Sequence, residues 1–143
     1  MAKAKKKSAQ VLVVDDNKPH CYVMARMLEK AGYLTQQAHT GLDALEAARQ
    51  KPAIILLDVN LPDIGGFEVL RRLQGEPRTA SIPVVFMSAT DAGASAKIHD
   101  AQIKASGFLT QPVQQGHLLA VVEGVLSRNA KNRSTANKSS RRG

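Results

Sequence analysis

Four apolar stretches of this chain end in residues that can do chemistry. Asp15 and Asp16 close the run Gln10–Val14, and Asp58 closes Ala53–Leu57. Ser88 follows Ile82–Met87, and Thr110 and Gln111 end the run that starts at Gly107. If these runs are neighbouring parallel strands, their polar ends share one sheet edge, which is where ligands bind in open α/β sheets. Three carboxylates meeting there repel one another. At about 4 Å and an effective dielectric constant of about 20, each pair costs roughly 4 kcal/mol. Such a cluster stays ionised only with a cation. A set of oxygen ligands with no histidine or thiolate nearby favours Mg²⁺ over zinc and leaves coordination positions for water or a phosphoryl oxygen.

The elements that would position these residues are legible in the hydropathy pattern. The runs at 10–14, 53–57 and 82–87 are aliphatic and largely β-branched, as suits strands buried on both faces. Gly107–Thr110 is shorter, and Tyr33–Ala38 is a weaker fifth run. Helical spacing separates them. Tyr22, Val23, Ala25, Met27 and Leu28 precede Gly32 as a stop. Leu42, Leu45, Ala48 and Arg49 follow Thr40 as a cap. Phe67, Leu70 and Leu73 form a stripe after Gly65–Gly66, with Arg71 and Arg72 on its solvent side. A fourth, alanine-rich helix is predicted from Thr90 or Asp91 through Ile98 and Ile103. A last helix from Pro112 carries Val113, Leu118, Leu119, Val122, Val125 and Leu126, with proline suited to its first turn. Five β-α repeats predict an α/β fold, a doubly wound five-stranded parallel sheet with helices on both faces, flavodoxin-like or (βα)5.

Composition agrees with one domain. The chain has 143 residues, 43% of them hydrophobic, with two Tyr, three Phe and no Trp, so its core must be aliphatic. The formal net charge is +8, yet residues 1–7 hold four lysines and residues 128–143 hold six basic residues, neither segment with an acid. The stretch between carries ten basic and twelve acidic residues and is mildly acidic. The division is therefore a basic disordered N-terminal tail at 1–8, a folded body at 9–127 and a basic disordered C-terminal tail at 128–143. A nucleic-acid-binding role for the body loses its electrostatic support, and the tails read as a solubilising fringe. No run is long enough to span a membrane or to serve as a signal-peptide core, so a cytoplasmic location is expected. The single cysteine, Cys21, excludes a disulfide framework and reads as a helix residue without chemistry. His20, His39, His99 and His117 match no metal spacing and read as surface or helix-face residues.

Asp15 and Asp16 alone could simply cap the first helix, and Asp58 alone could be a loop acid. Their conjunction, with Ser88 in register, argues against both. At this point the sequence resembles the receiver domain of bacterial two-component response regulators. The resemblance covers nearly all of residues 9–127. Its landmarks are Val-Leu-Val-Val-Asp15-Asp16-Asn17, Leu-Leu-Asp58-Val-Asn-Leu-Pro62-Asp-Ile-Gly-Gly66, Ile82-Pro83-Val-Val-Phe-Met-Ser88-Ala89 and Gly107-Phe108-Leu-Thr-Gln111-Pro112.

The resemblance implies a phosphoacceptor signalling domain of a phosphorelay. Asp58 would take a phosphoryl group from a phosphohistidine on a sensor histidine kinase or a histidine phosphotransfer protein. Asp16 would bind Mg²⁺ directly, Asp15 through water, and the Asn60 backbone carbonyl would complete the protein ligands together with Asp58. Ser88 would hydrogen-bond the phosphoryl group afterwards, and Phe108 would report the switch by repacking. Output would come from docking to a downstream protein target. The docking face would be the fourth helix, fifth strand and fifth helix, which is also a candidate surface for homodimerisation. With only a short tail after residue 127, a single-domain regulator is expected, not an enzyme, without membrane insertion and without a specific nucleic-acid partner.

One position departs from the family pattern. Receivers carry a lysine before the proline that begins the last helix, and here that position is Gln111. Three aspartates, Mg²⁺ and a lysine sum to zero charge, and without the lysine the site sums to −1. An alternative is therefore a pseudo-receiver that binds partners without phosphorylation. An aspartyl-phosphate phosphatase of the haloacid-dehalogenase type is disfavoured, because Asp15-Asp16-Asn17 lacks the Asp-x-Asp spacing. A nucleotide-binding fold is disfavoured by the absence of a glycine-rich loop after the first strand.

Overall fold

The computed structural model describes residues 9–88 and 105–142, with side chains described as far as Asn129. The described elements are β1 (Gln10–Val14), α1 (Lys18–Lys30), β2 (Leu34–Ala38), α2 (Gly41–Ala48), β3 (Ile54–Asp58), α3 (Gly66–Gln74), β4 (Val84–Ser88), β5 (Gly107–Thr110) and α4 (Gln115–Arg142). The strands form one parallel sheet in the order β2-β1-β3-β4-β5. β1 and β3 are neighbours, with Val14 opposite Leu57, so Asp15 and Asp58 leave the sheet side by side.

Alternation along the strands divides the core into two layers, because successive side chains point to opposite faces. Val11, Val13, Ile54, Leu56, Val85, Met87 and Leu109 meet Cys21, Met24 and Leu28 of α1 and Leu118, Val122 and Val125 of α4. Leu12, Val14, Ile55, Leu57, Val84 and Phe86 meet Ala44, Ala47 and Ala48 of α2 and Val69, Leu70 and Leu73 of α3. Each aliphatic side chain so buried is worth about 1.5–3 kcal/mol. Phe86 is the one fully buried aromatic ring among the described residues, so the core is aliphatic as composition requires.

Local signals explain most boundaries. Asn17 caps α1, its side-chain oxygen accepting from the His20 N–H at 3.0 Å, and a proline follows in the first turn. Gly32 ends that helix at φ 102°, a left-handed conformation glycine adopts without strain, and Tyr33 N–H returns to the Leu28 carbonyl. Thr40 caps α2 through the Asp43 N–H at 3.0 Å, as expected. β4 starts at Val84, not Ile82: Pro83 has no N–H to give the ladder, and its carbonyl accepts from Ile55 instead.

Two expectations about the last helix need correction. It begins at Gln115 rather than Pro112, with the Gln114 carbonyl accepting from the Leu118 N–H, and the Gln111–Pro112 peptide is cis. It also runs on to Arg142, through the segment predicted to be a disordered tail. Residues 128–142 contain neither glycine nor proline. Once Leu118, Val122 and Val125 have fixed the first turns on the sheet, propagation is the cheap part of helix formation. The predicted alanine-rich helix between Thr90 and Ile103 lies outside the described residues, as does the N-terminal tail.

Candidate functional site

The site is built by two adjacent strand ends. Asp15 is the first residue after β1 and is 1% exposed. Its backbone N–H donates to the Ala38 carbonyl at 3.0 Å, extending the ladder to β2. Its Oδ1 accepts from the Asn17 N–H at 2.9 Å, but its Oδ2 is buried without a hydrogen-bond partner. Asp58 is the last residue of β3 and is 8% exposed. Its Oδ1 accepts from the Asn60 N–H at 3.0 Å. Asp16 is exposed at the rim. One carboxylate oxygen from each of the three lies within 4.8 Å of the others.

Electrostatics follow from this crowding. Burial pushes the Asp58 carboxyl up to about 7, against the Asn60 N–H, which favours the ionised form. The negative charges of Asp15 and Asp16 push in the same direction as burial. A buried, unpartnered carboxylate oxygen beside two further carboxylates is costly in the absence of a cation. The donor set fits Mg²⁺ in its chemistry: all hard oxygens, converging on one edge, one of them buried and accepting no hydrogen bond.

The loop after Asp58 is held tightly. Val59 N–H bonds the Met87 carbonyl at 3.0 Å, and Gly66 N–H bonds the Val59 carbonyl at 2.8 Å. Gly66 packs directly on the backbone of Asp58 and Val59. A Cβ there would collide with the Asp58 carbonyl oxygen and come within 2.9 Å of Val59 Cα.

The other sequence-predicted residues gather at the same edge. Ser88 is buried at the end of β4, opposite Thr110. Gln111 N–H donates to the Ser88 carbonyl at 2.8 Å. Gln111 also lines a cavity of about 180 Å³ with His20, Val23, Met24, Met27, Pro112 and Val113. Phe108 stands opposite Phe86 on β5 and is partly exposed. Arg71 and Arg72 lie on the solvent side of α3, as expected, both paired with Glu68.

With that geometry in hand, the comparisons are decisive. The response regulator receiver domain family matches residues 11–123. This chain belongs to that family. The receiver is 34% identical over 120 residues to Protein PilH of Pseudomonas aeruginosa, an alignment covering 83% of this chain and 98% of PilH. It superposes on the chemotaxis response regulator CheY4 of Vibrio cholerae with a TM-score of 0.74 at 28% identity, covering 82% of this chain and 98% of that one. The receiver domain of sensor histidine kinase PA1611 from Pseudomonas aeruginosa PAO1, solved with a magnesium ion coordinated in its active-site cleft, shares the fold at TM-score 0.76 and 20% identity, covering 84% and 98%. The chain is thus a receiver domain of two-component phosphorelay signalling. No helix among the described residues is long and apolar enough to cross a membrane.

Three residues near the site escape sequence reasoning. Asn17, not the aspartate pair, caps α1, although its type and the following Lys-Pro were a usable signal. His39, read as a surface residue, contacts the Asp15 carbonyl oxygen through Nδ1 at 3.0 Å. Asp63 accepts from the Gly41 and Leu42 N–H groups at 2.7 and 2.8 Å, a contact across 22 and 21 residues that no local pattern announces.

Proposed function

We propose that Asp58 is the phosphoryl acceptor of this receiver and that Asp15, Asp16, Asp58 and the Asn60 backbone carbonyl hold Mg²⁺ beside it. The observation that carries this reading is the buried Asp15 Oδ2, which accepts no hydrogen bond and has the His20 Nδ1 4.0 Å away, within a cluster of three carboxylates. Bound Mg²⁺ would neutralise charge on the carboxylates and on the transferring phosphoryl oxygens, which is most of what such a transfer needs. The Asp58 carboxylate attacks the phosphorus of a phosphohistidine, forming an O–P bond as the N–P bond to the donor breaks. The Asn60 N–H holds one Asp58 oxygen and leaves the other to attack. Ser88 and Gln111 stand on the adjoining strand ends to receive the new phosphoryl oxygens, and Phe108 repacks in response.

The donor is a sensor histidine kinase or a histidine phosphotransfer protein, and the output is docking to a downstream protein in the cytoplasm. The docking surface includes β5 and α4, which also offer a face for homodimerisation; the remainder of the family's face falls in residues 89–104. Sustained turnover is not part of this role. Incubation with Mg²⁺ and acetyl phosphate or phosphoramidate should add about 80 Da by intact mass, and Asp58→Asn should abolish the addition. No adduct with either donor would overturn the acceptor role in favour of partner binding without phosphorylation, the outcome that Gln111 makes worth testing.

A further inference from the structure

We infer that the loop joining β2 to α2, residues 39–42, acts with Asp63 as a brace that positions the two halves of the acceptor site, His39 and Asp63 being its positioning residues. The inference rests on the metal-binding reading above for its consequence and on hydrogen bonds for its geometry. One end of the loop is tied to the strand end carrying Asp15. Asp15 N–H donates to the Ala38 carbonyl at 3.0 Å, and His39 Nδ1, one residue on, contacts the Asp15 carbonyl at 3.0 Å. That carbonyl is an acceptor, so Nδ1 must carry the proton. The other end is tied to the loop carrying Asp58. Gly41 N–H reaches one carboxylate oxygen of Asp63 and Leu42 N–H reaches the other.

These N–H groups belong to the first turn of α2, which has no intrahelical partners for them. An acidic cap normally comes from the helix's own chain. Here it comes from the neighbouring loop, so the bond spans two elements. Packing closes the same joint: a Cβ on Gly41 would lie 2.5 Å from Ile64 Cγ1 and 2.9 Å from both the Ile64 carbonyl oxygen and Val69 Cγ2. Asp15 and Asp58 repel each other across the pocket, and the brace holds their chains from outside it. Because Asp63 follows Asp58 by five residues, and because Gly66 N–H pins the loop back to the Val59 carbonyl, slack at Asp63 is passed to the acceptor.

The test is amide hydrogen exchange on the full chain without metal, followed by Mg²⁺ titration calorimetry. Asp63→Ala should speed exchange in the segment 58–66 and, through His39, in the segment 13–17. Asp63→Asn, which keeps one acceptor oxygen, should give an intermediate response and serves where the alanine variant folds poorly. His39→Ala should speed the same two segments, and combining it with Asp63→Ala should give less than the sum of the single effects. Acceleration confined to residues 41–45 would overturn the brace and leave Asp63 an ordinary helix cap. In the titration, Asp63→Ala should weaken Mg²⁺ binding about tenfold. Unchanged affinity in a variant whose parent binds Mg²⁺ also overturns the brace. A parent that binds no Mg²⁺ overturns the metal reading instead, and the exchange result still decides the brace.

Discussion

The backbone N–H of Gln111 donates to the carbonyl oxygen of Ser88 across 2.8 Å, joining the ends of β5 and β4. Gln111, which the resemblance puts at the family's lysine position, is therefore held in register with the end of β4, but it brings no positive charge. A charge-assisted hydrogen bond is worth about 1.5–3 kcal/mol and a neutral one about 0.5–1.5. Gln111→Lys should accordingly raise the rate of Asp58 phosphorylation about tenfold or more in a time course of intact mass with acetyl phosphate. A slower rate in the lysine variant contradicts the charge argument.

Gly66 makes a different kind of demand. Its Cα lies so close to the Asp58 backbone that any Cβ would press on the Asp58 carbonyl, with Val59 Cα and the Asp58 carbonyl carbon 2.9 and 3.2 Å from that Cβ. These are backbone atoms and cannot turn aside as a side chain could. Gly66→Ala should cost about 1–3 kcal/mol, seen as a lower urea midpoint. It should also slow phosphorylation more than its stability loss alone would, because the atoms displaced are those of Asp58.

The contrast between Asp63 and Asp58 shows what could be read from the chain beforehand. Strand ends were legible because burial on both faces demands unbroken aliphatic runs, and Asp15, Asp58 and Ser88 interrupt those runs. The pairing of β1 with β3, which brings Asp15 and Asp58 together, is shown by the sheet register and is not written in the runs themselves. Asp63 and His39 were not legible, because their partners are 21 to 24 residues away and a short polar loop carries no periodicity. The continuation of α4 past Arg128 was missed for another reason. Composition reports whether a segment can bury surface, and that segment cannot. It does not report whether a helix already fixed by Leu118, Val122 and Val125 has any reason to stop.

Asp58 also sets a pH dependence. An unfolded aspartate releases its proton near its ordinary value of 3.8, whereas the folded Asp58 holds its proton to about 7. Between those values the folded state keeps a proton that the unfolded state has lost, so stability falls as pH rises through the window and levels above it. In EDTA the urea midpoint of the parent should fall relative to Asp58→Asn between about pH 4 and pH 7. Mg²⁺ binds the ionised form, so the stabilisation it confers should grow over the same interval. A parent and variant with parallel profiles would show that the crowding of carboxylates does not govern the acceptor.

Cys21 offers a clock on the same framework. Its thiol is fully buried between α1 and β1 and donates to the Val13 carbonyl at 3.5 Å. Burial, with the nearby Asp15 charge acting in the same direction, pushes the thiol up to about 12 against the pull of backbone hydrogen bonds. Only the thiolate is alkylated, so near neutral pH both the ionisation and the exposure that iodoacetamide needs require α1 to leave the sheet. Native protein at pH 8 should label at least about 100-fold more slowly than protein in denaturing urea. Because α1 follows directly from Asp15 and Asp16, Mg²⁺ should slow the remaining native labelling further, in proportion to its occupancy. Rapid labelling of native protein, unaffected by Mg²⁺, would mean that α1 opens independently of the site it helps to build.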